Sequence, residues 1–433
     1  MTSDLQKNKL ISGMESAFIY FLLLQPILDV LAYFDIPVSI VIRVLAMGAG
    51  FIYTLLLPDK KGKKTVLIYF LILGLFMGIN LINNYIVKYQ FIITSELTYI
   101  IKTVFFMELL IVYLFVIRSF SAKENWQKII QQCVFINMAF ISGVMLLASL
   151  TDTAKRSYGS LAKEGHTGWF FSANELSIIL GMGFSMMILY MVQKKSQVTK
   201  VQLLPFIGLT IWAMLTVGTK VSFGSIIIVL TAAILILIIK RSWVNFTTLA
   251  AMLAATIFIT PSTPVGNNLH LTFGLDITNQ QNVTPDTETT PEEQMQIDQK
   301  ILSGRSDFLK NIMKQYKEAP ISQKLFGMGH GGNYTNSPKL IEMDFLDWYF
   351  SFGVIGFVLL MLPLIYIGYR ILINLFKYHI RKISVPIIFT GLSVCLGLGS
   401  AFVAGHVLSS PASGIYLAIF IGYLFVLTKH RTS

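Results

Sequence analysis

The feature that most constrains this chain is a series of uninterrupted apolar stretches, each close to twenty residues long. Such a stretch can cross the roughly 30 Å hydrocarbon layer of a bilayer as a helix, because a helix satisfies its own backbone hydrogen bonds. The composition agrees: 54% of the residues are apolar, 13% are charged, and the mean hydropathy is +0.67. These values exclude an ordinary soluble fold. They predict an all-α polytopic membrane protein.

About twelve segments fit this description, and they divide the chain into three parts. Residues 1–260 hold nine segments, residues 261–343 form one long polar interval, and residues 344–433 hold three more. The predicted segments cover residues 14–34, 37–57, 65–85, 99–117, 128–150, 173–192, 200–217, 220–239, 243–260, 344–367, 384–407 and 411–428. Only Gly218 to Lys220 separates the seventh from the eighth, but a glycine followed by a charge predicts a break.

Basic residues in the short loops predict the orientation, because cytoplasmic loops retain Lys and Arg. With the N-terminus inside the cell, clusters such as Lys60 to Lys64 and Arg381-Lys382 fall on the cytoplasmic side. Both termini are then cytoplasmic and the long loop is extracellular. The formal charge of +12 is mostly a consequence of this topology, and attraction of the basic residues to anionic headgroups of the lipid bilayer is a secondary effect. No nucleic acid partner is expected.

The long loop is predicted to contain an amphipathic helix. Thr290-Pro-Glu-Glu293 is typical of a helix start, whereas residues 267–290 show no clear regular structure. Apolar residues then recur at helical spacing up to Pro320: Ile297, Ile301, Leu302, Phe308, Leu309, Ile312 and Tyr316. Arg305 lies on this apolar face and is predicted to point inward, although a helix lying on the membrane could also bring its Arg to a lipid phosphate.

Several charges interrupt the apolar segments, and burying an ion in lipid is costly unless it faces a cavity or a partner. Five of them are predicted to lie in the outer third of the membrane: Asp29, Arg43, Lys102, Glu175 and Lys220. Glu108 is roughly 13 Å into the fourth helix at about 1.5 Å per residue, where it could line the floor of the same cavity. Taken singly, each residue could equally be a structural ion pair or a side chain that reaches the interface.

A glycine-rich run, Gly327-Met-Gly-His-Gly-Gly332, follows the loop helix. Glycines permit sharp turns and close approach of the backbone to a ligand, and backbone amides in such a turn can cradle an anion. An ordinary flexible connector is the alternative. His330 within the run is a candidate catalyst only if a neighbour fixes it.

The arrangement resembles the O-antigen ligase and O-antigen polymerase superfamily, in the branch often found in Gram-positive bacteria. Four stretches carry the resemblance: Gly168-Trp-Phe-Phe-Ser-Ala-Asn-Glu175, Val217-Gly-Thr-Lys220, Gly304-Arg305 with the glycine-rich run, and Glu342-Met-Asp-Phe-Leu-Asp-Trp-Tyr-Phe-Ser-Phe-Gly-Val-Ile-Gly356. They span roughly residues 165–366. Gln25-Pro-Ile-Leu-Asp29 and Ala404-Gly-His406 are also similar to this branch.

The resemblance implies glycan transfer on the outer face of a bacterial cytoplasmic membrane. A polyprenyl-pyrophosphate-linked saccharide would donate to a hydroxyl of a glycan or cell-surface acceptor, with no metal and no cofactor. The departing pyrophosphate needs fixed positive charge. Arg305 and Lys220 are the residues that match the family here, and Arg43 and Lys102 are added because of their predicted depth.

The general base is left open by the sequence. A carboxylate or a neutral imidazole can accept the proton of an acceptor hydroxyl. Glu342 and Asp344 are candidates by position, since the familiar Gram-negative ligases carry a His there, whereas His330 and His406 are candidates by chemistry. Asp344 and Asp347 could instead cap the start of the tenth helix.

Two other functions share these features. A transporter or flippase for polysaccharide or lipid-linked saccharide also needs many helices and buried charges, but such proteins tend to show internal repeats and a site at the midplane. No convincing repeat is evident. A glycosyltransferase of the cell-wall elongation type would perform related chemistry, although the loop position and the glycine-rich run are less similar to it.

Overall fold

The structure is a computed structural model that describes residues 2–159, 162–273, 305–333, 339–377 and 384–429. Within these ranges the fold is helical, and a single isolated bridge joins Arg156 to His166. The helices are α1 (Thr2–Tyr33), α2 (Val38–Leu56), α3 (Lys60–Val87), α4 (Ile93–Phe120), α5 (Trp126–Leu150), α6 (Ala173–Val192), α7 (Gln197–Val217), α8 (Lys220–Ile239), α9 (Trp243–Ile259), α10 (Pro264–Phe273), α11 (Arg305–Glu318), α12 (Ile321–Phe326), α13 (Asp344–Phe376), α14 (Val385–Val403) and α15 (Pro411–Lys429).

The prediction of twelve membrane-spanning helices is confirmed for the described part of the chain. The helices that are long and apolar enough to cross a membrane are α1 to α9 and α13 to α15. The narrow break between the seventh and eighth is also confirmed. Gly218 adopts a left-handed backbone with φ of 78° and ends α7, and the Thr219 hydroxyl accepts a hydrogen bond from Ser222 N at 3.2 Å to begin α8.

The eleventh segment is shorter than predicted. The apolar pattern predicts helix to residue 407, but α14 ends at Val403. Gly405 and His406 both have positive φ, 63° and 60°, which a right-handed helix cannot contain. Residues 404–410 therefore form a connecting segment at the same end of the bundle as the long loop.

The long loop is more ordered near its start than predicted. Residues 267–273 were expected to lack regular structure, but they belong to α10. The reason is tertiary, because the Asn268 side chain donates to Glu164 O at 2.7 Å and Gly218 O at 2.9 Å. α11 confirms the second half of the predicted amphipathic helix, whereas its predicted start at Thr290 lies outside the described residues.

The centre of the bundle is formed by α6 and α15. In each of these helices, 89% of the most apolar 18-residue stretch is buried. α15 packs along α4, and α6 packs against α5, α8 and α14. Polar side chains in this core find partners, as lipid offers none. For example, the Asn137 amide donates to Leu22 O and to the Tyr416 hydroxyl, each at 2.8 Å. These bonds fix α5 against α1 and α15.

α13 is broken near its start, and the glycine-rich run lies in the break. Gly353 has φ of 64° and ψ of −173°, so the helical ladder is interrupted. The carbonyl groups of Phe350 and Ser351 then accept Met328 N at 2.8 Å and Gly329 N at 3.0 Å. A Cβ on Gly327 would lie 2.1 Å from Ser351 O, so only glycine permits this approach. We call the end of the bundle that carries α11, α12 and this run the loop face.

Candidate active site

Two connecting segments meet at the loop face, and each presents one functional side chain. Residues 341–343 lead into α13, and residues 404–410 join α14 to α15. Glu342 and His406 both adopt left-handed backbone conformations, with φ of 65° and 60°. Side-chain-bearing residues rarely occupy this region, and those that do cluster at functional sites. The unusual backbone therefore marks both residues as candidates for function.

Arg305 joins these two residues in one charged cluster. As the first residue of α11, it places Nη2 at 3.3 Å from Glu342 Oε2 and at 3.3 Å from the carbonyl oxygen of Ala404. His406 Nε2 lies 3.6 Å from the same Glu342 oxygen. We call these residues the Arg305–Glu342–His406 cluster. It confirms that Arg305 points into the protein, with a side chain only 12% exposed.

The charges within this cluster stabilise one another. Contact with His406 lowers the pKa of the Glu342 carboxyl below its ordinary value, against an opposing effect of burial, and Arg305 and Lys339 act in the same direction as His406. Burial alone would lower the pKa of His406, but Glu342, Glu175 and Asp344 together raise it above its ordinary value. Glu342 therefore keeps its negative charge to lower pH than an ordinary glutamate, and His406 keeps its positive charge to higher pH than an ordinary histidine.

A second group of charges lines an apolar cleft between α1, α2, α4, α6 and α15. The cleft has a volume of about 520 Å³. Its charged residues are those predicted from their depth: Asp29, Arg43, Lys102 and Glu175. Asp29 and Arg43 form an ion pair there. The rest of the lining is largely apolar: Ala32, Ile40, Val44, Met47, Ile101, Phe105, Phe170, Phe171, Leu176, Ile179, Pro411 and Ala412.

The cleft continues into a more polar chamber of about 420 Å³. Four residues line both spaces and define what we call the neck: Thr98, Lys102, Glu175 and Ser410. The chamber is also lined by His330 and His406. His406 thus belongs to the chamber and to the charged cluster. An apolar cleft, a charged neck and a polar chamber follow one another along the loop face.

Lys220 lies at the junction of α7 and α8. It begins α8, and the positive charges of Lys163 and Arg305 both act on it. Two of the predicted anion-binding residues, Arg305 and Lys220, are thus near enough to influence each other electrostatically, and the other two, Arg43 and Lys102, line the cleft. Glu175 connects the two groups electrostatically, because it is influenced by His406, Asp29 and Lys102.

Two predicted site residues have other surroundings. Glu108 does not line the cleft, because its carboxylate faces α2, where Gly50 leaves room for it. α4 begins at Ile93, earlier than the predicted residue 99, and its rotation turns the Glu108 side chain away from the cleft. The Asp344 carboxylate is buried and accepts hydrogen bonds from Val407 N at 2.7 Å, Leu408 N at 2.8 Å and Ser409 Oγ at 2.8 Å. With its oxygens occupied, it positions residues 404–410 and is a poor candidate for the base.

The glycine-rich run does not form an open anion cradle. The amide of His330 donates to Glu96 Oε2 at 2.8 Å, so an internal carboxylate occupies it.

Asp347 also has a structural role, because its oxygens accept Ile341 N at 2.8 Å and Met343 N at 3.1 Å before α13 begins. Asp347 therefore holds the segment that leads into α13, where the sequence had suggested a residue that caps and solvates the helix start.

Sequence reasoning missed Lys88 and Glu96, which flank the short turn between α3 and α4. They form an ion pair at 2.5 Å, and each side chain is only 4% exposed. The available signal was a pair of opposite charges eight residues apart at facing helix ends. This signal is weak, because charges at helix ends usually reach the membrane surface.

One prediction arises from the close contact between the two connecting segments. A Cβ at Gly405 would lie 2.5 Å from Glu342 O, and the φ of 63° disfavours any other residue. Gly405→Ala should separate Glu342 from His406 and lower turnover about 100-fold, since displacements near 1 Å have effects of this size. Gly399→Ala is the control, because a Cβ there meets nothing within 4 Å. Equal turnover in the two variants would contradict the contact.

The fold and site define an all-α, multi-pass membrane protein with a charged and polar site at one end of its helical bundle. The chain matches the family described as O-antigen ligase like membrane protein over residues 12–431, and it belongs to that family. Membership indicates a glycosyl-transferring enzyme that ligates or polymerises lipid-linked glycan at a membrane. No curated protein matches the chain.

Proposed function

We propose that this protein transfers or polymerises saccharide carried on a polyprenyl pyrophosphate, at the outer face of a bacterial cytoplasmic membrane. The observation that carries the proposal is the continuous order of apolar cleft, charged neck and polar chamber. This order matches the donor, in which an apolar chain, two phosphates and a saccharide follow one another. In the proposed orientation both termini are cytoplasmic and the loop face is extracellular.

The positive charges along this path serve the leaving group. Transfer breaks the bond between the anomeric carbon and the pyrophosphate oxygen, and the electron pair stays on that oxygen. Arg305 and Lys220 would stabilise the resulting charge from one side, and Lys102 and Arg43 would hold the pyrophosphate from the cleft. A guanidinium group carries five N–H donors, and the contacts of Arg305 with Glu342 and Ala404 are made through Nη2.

The proton is assigned to Glu342. The oxygen of the acceptor hydroxyl attacks the anomeric carbon while its proton passes to the carboxylate, which His406 and Arg305 keep ionised. His406 orients Glu342 and stabilises its charge. Asp344 takes no direct part, because it is occupied by residues 407–409. The acceptor is a glycan or another cell-surface molecule that enters from the extracellular side.

Reconstitution tests this proposal. Purified protein in liposomes, supplied with lipid-linked saccharides from membranes of the source organism, should lengthen the saccharide or attach it to an acceptor and release polyprenyl pyrophosphate. Mass spectrometry of the extracted lipids reports both products. Activity should persist with EDTA, since no metal is invoked. Movement of the lipids between leaflets without any new glycosidic bond would identify a flippase instead.

A further inference from the structure

We propose that the wall of the chamber formed by the start of α4 and by His330 is the subsite for the sugar directly attached to the donor pyrophosphate. Lys88 and Glu96 are assigned as positioning residues that hold His330 in this wall. The inference rests on the proposed function. It adds a saccharide-selecting role for residues that lie apart from the Arg305–Glu342–His406 cluster.

The lining of the chamber suits a saccharide. Hydroxyl-bearing side chains dominate it: Thr94, Ser95, Thr98, Ser409 and Ser410. Each hydroxyl both donates and accepts, which matches the mixed donors and acceptors around a sugar ring. At roughly 30 Å³ per water, the volume of about 420 Å³ also leaves room for bridging waters beside a ring.

The position of the neck determines which sugar of the donor occupies the chamber. Thr98, Lys102, Glu175 and Ser410 border both the cleft and the chamber. With the polyprenyl chain in the cleft and the pyrophosphate at Lys102, the next group of the donor is the sugar bonded to the pyrophosphate. That sugar must occupy the chamber, because a single bond separates it from the neck.

His330 is held by its backbone from two directions. Glu96 Oε2 accepts His330 N at 2.8 Å, and Lys88 Nζ donates to His330 O at 3.1 Å. The other oxygen of Glu96 pairs with Lys88 at 2.5 Å. A buried ion pair is costly to form. Here its two members, Glu96 and Lys88, bind the backbone N–H and the backbone carbonyl of His330. The arrangement fixes the backbone from which the imidazole extends.

The pKa values of the two histidines of the chamber are shifted in opposite directions. Burial lowers the pKa of His330, and Lys88 and Lys102 lower it further, against an opposing effect of Glu96. A neutral imidazole has one donor and one acceptor, whereas a protonated ring has no acceptor. The His330 ring lines the chamber and lies 5.4 Å from the ring of Tyr99, and its Nδ1 is buried without a hydrogen-bond partner within the described structure. His330 thus suits a hydroxyl group, whereas His406 suits a carboxylate.

Competitive binding measured by native mass spectrometry tests the subsite. The purified protein is mixed with undecaprenyl pyrophosphate and with lipid-linked saccharides extracted from the source organism, and the two bound masses give a preference ratio. His330→Leu should lower the preference for the saccharide-bearing lipid about 5- to 10-fold, the effect of losing one or two hydrogen bonds. His330→Asn, whose amide keeps a donor and an acceptor in the wall of the chamber, should stay within about twofold of wild type.

Other variants separate recognition from folding. Ser95→Ala is a smaller change and should lower the ratio about twofold to threefold. Lys102→Ala should weaken binding of both lipids and leave the ratio unchanged, because it contacts the part they share. Lys88→Met should lower the ratio as His330→Leu does, and it should cause no further loss in the His330→Leu background. A general loss of folding would reduce the binding of both lipids.

The outcomes of the two proposals are distinguishable. An unchanged ratio in both His330→Leu and Ser95→Ala overturns the subsite, even if wild-type protein forms glycosidic bonds. A lowered ratio supports the subsite. Additive effects of Lys88→Met and His330→Leu overturn the positioning role of Lys88. Absence of any new glycosidic bond in the reconstituted assay overturns the proposed function, whatever the binding ratio.

Discussion

Arg305→Ala is expected to lower the rate of glycosidic bond formation about 100- to 1000-fold, the effect of removing one positioned donor from a developing negative charge. Arg305 is suited to this role because it is mostly buried and is positioned against both connecting segments through Nη2. Arg305→Lys should recover only part of the rate, because an ammonium group keeps the charge but loses the planar set of donors. The measurement is the initial rate in liposomes containing equal amounts of each protein.

Lys310→Ala provides a matched control for this variant. Lys310 is a basic residue on the same helix, α11, but its side chain is exposed. The control should retain the wild-type rate, whereas Lys220→Ala should fall with Arg305→Ala because the two charges act on the same region. Equal rates in the Arg305→Ala and Lys310→Ala variants would contradict the assignment of the leaving-group site.

The membrane-spanning helices could be predicted because hydropathy is a local property. A run of about twenty apolar residues must form a helix in lipid wherever it lies in the fold. The errors occurred where tertiary contacts set the local structure. α14 ends early because Gly405 must approach Glu342, and α10 forms because Asn268 finds partners on two other segments.

The sequence indicated many of the residues that form the site, but it indicated less well which of them contact one another. Arg305 was placed on the inward face from helical spacing, and the structure brings it to Glu342, 37 residues away along the chain. Depth alone could not fix the rotation of α4, so Glu108 was assigned to a cavity that it does not line. The sequence also could not show that Asp344 is occupied by three donors from residues 407–409, since that segment lies more than sixty residues away.

The glycine-rich run illustrates the same limit. Its glycines were expected to permit close approach of the backbone to a ligand. They do permit close approach, but to the broken turn of α13, where Gly327 and Gly329 lie against Ser351. A sequence pattern can indicate that a backbone must pass near something, because Cβ atoms are excluded there. The partner depends on packing of segments that are distant in sequence.

Glu342→Gln is expected to lower turnover by about 100- to 10,000-fold at neutral pH, because an amide cannot accept the proton of the acceptor hydroxyl. The pH profile distinguishes this base from His406. Contact with His406 is the main cause of the lowered pKa of Glu342, so wild-type activity should persist to a more acidic pH than an ordinary glutamate allows. His406→Gln removes the positive charge, raises the pKa of Glu342 and should move the acidic limb of the profile to higher pH.

Assignment of His406 as the base predicts a different pH profile of turnover. If His406 were the base, the wild-type rate would rise as the pH passes through the raised pKa of His406, since only the neutral ring accepts a proton. His406→Gln would then abolish turnover at every pH, and Glu342→Gln would lower the pKa of His406 and move that limb to lower pH. Residual turnover in His406→Gln with a shifted acidic limb therefore identifies Glu342 as the group that takes the proton, with His406 acting through its charge.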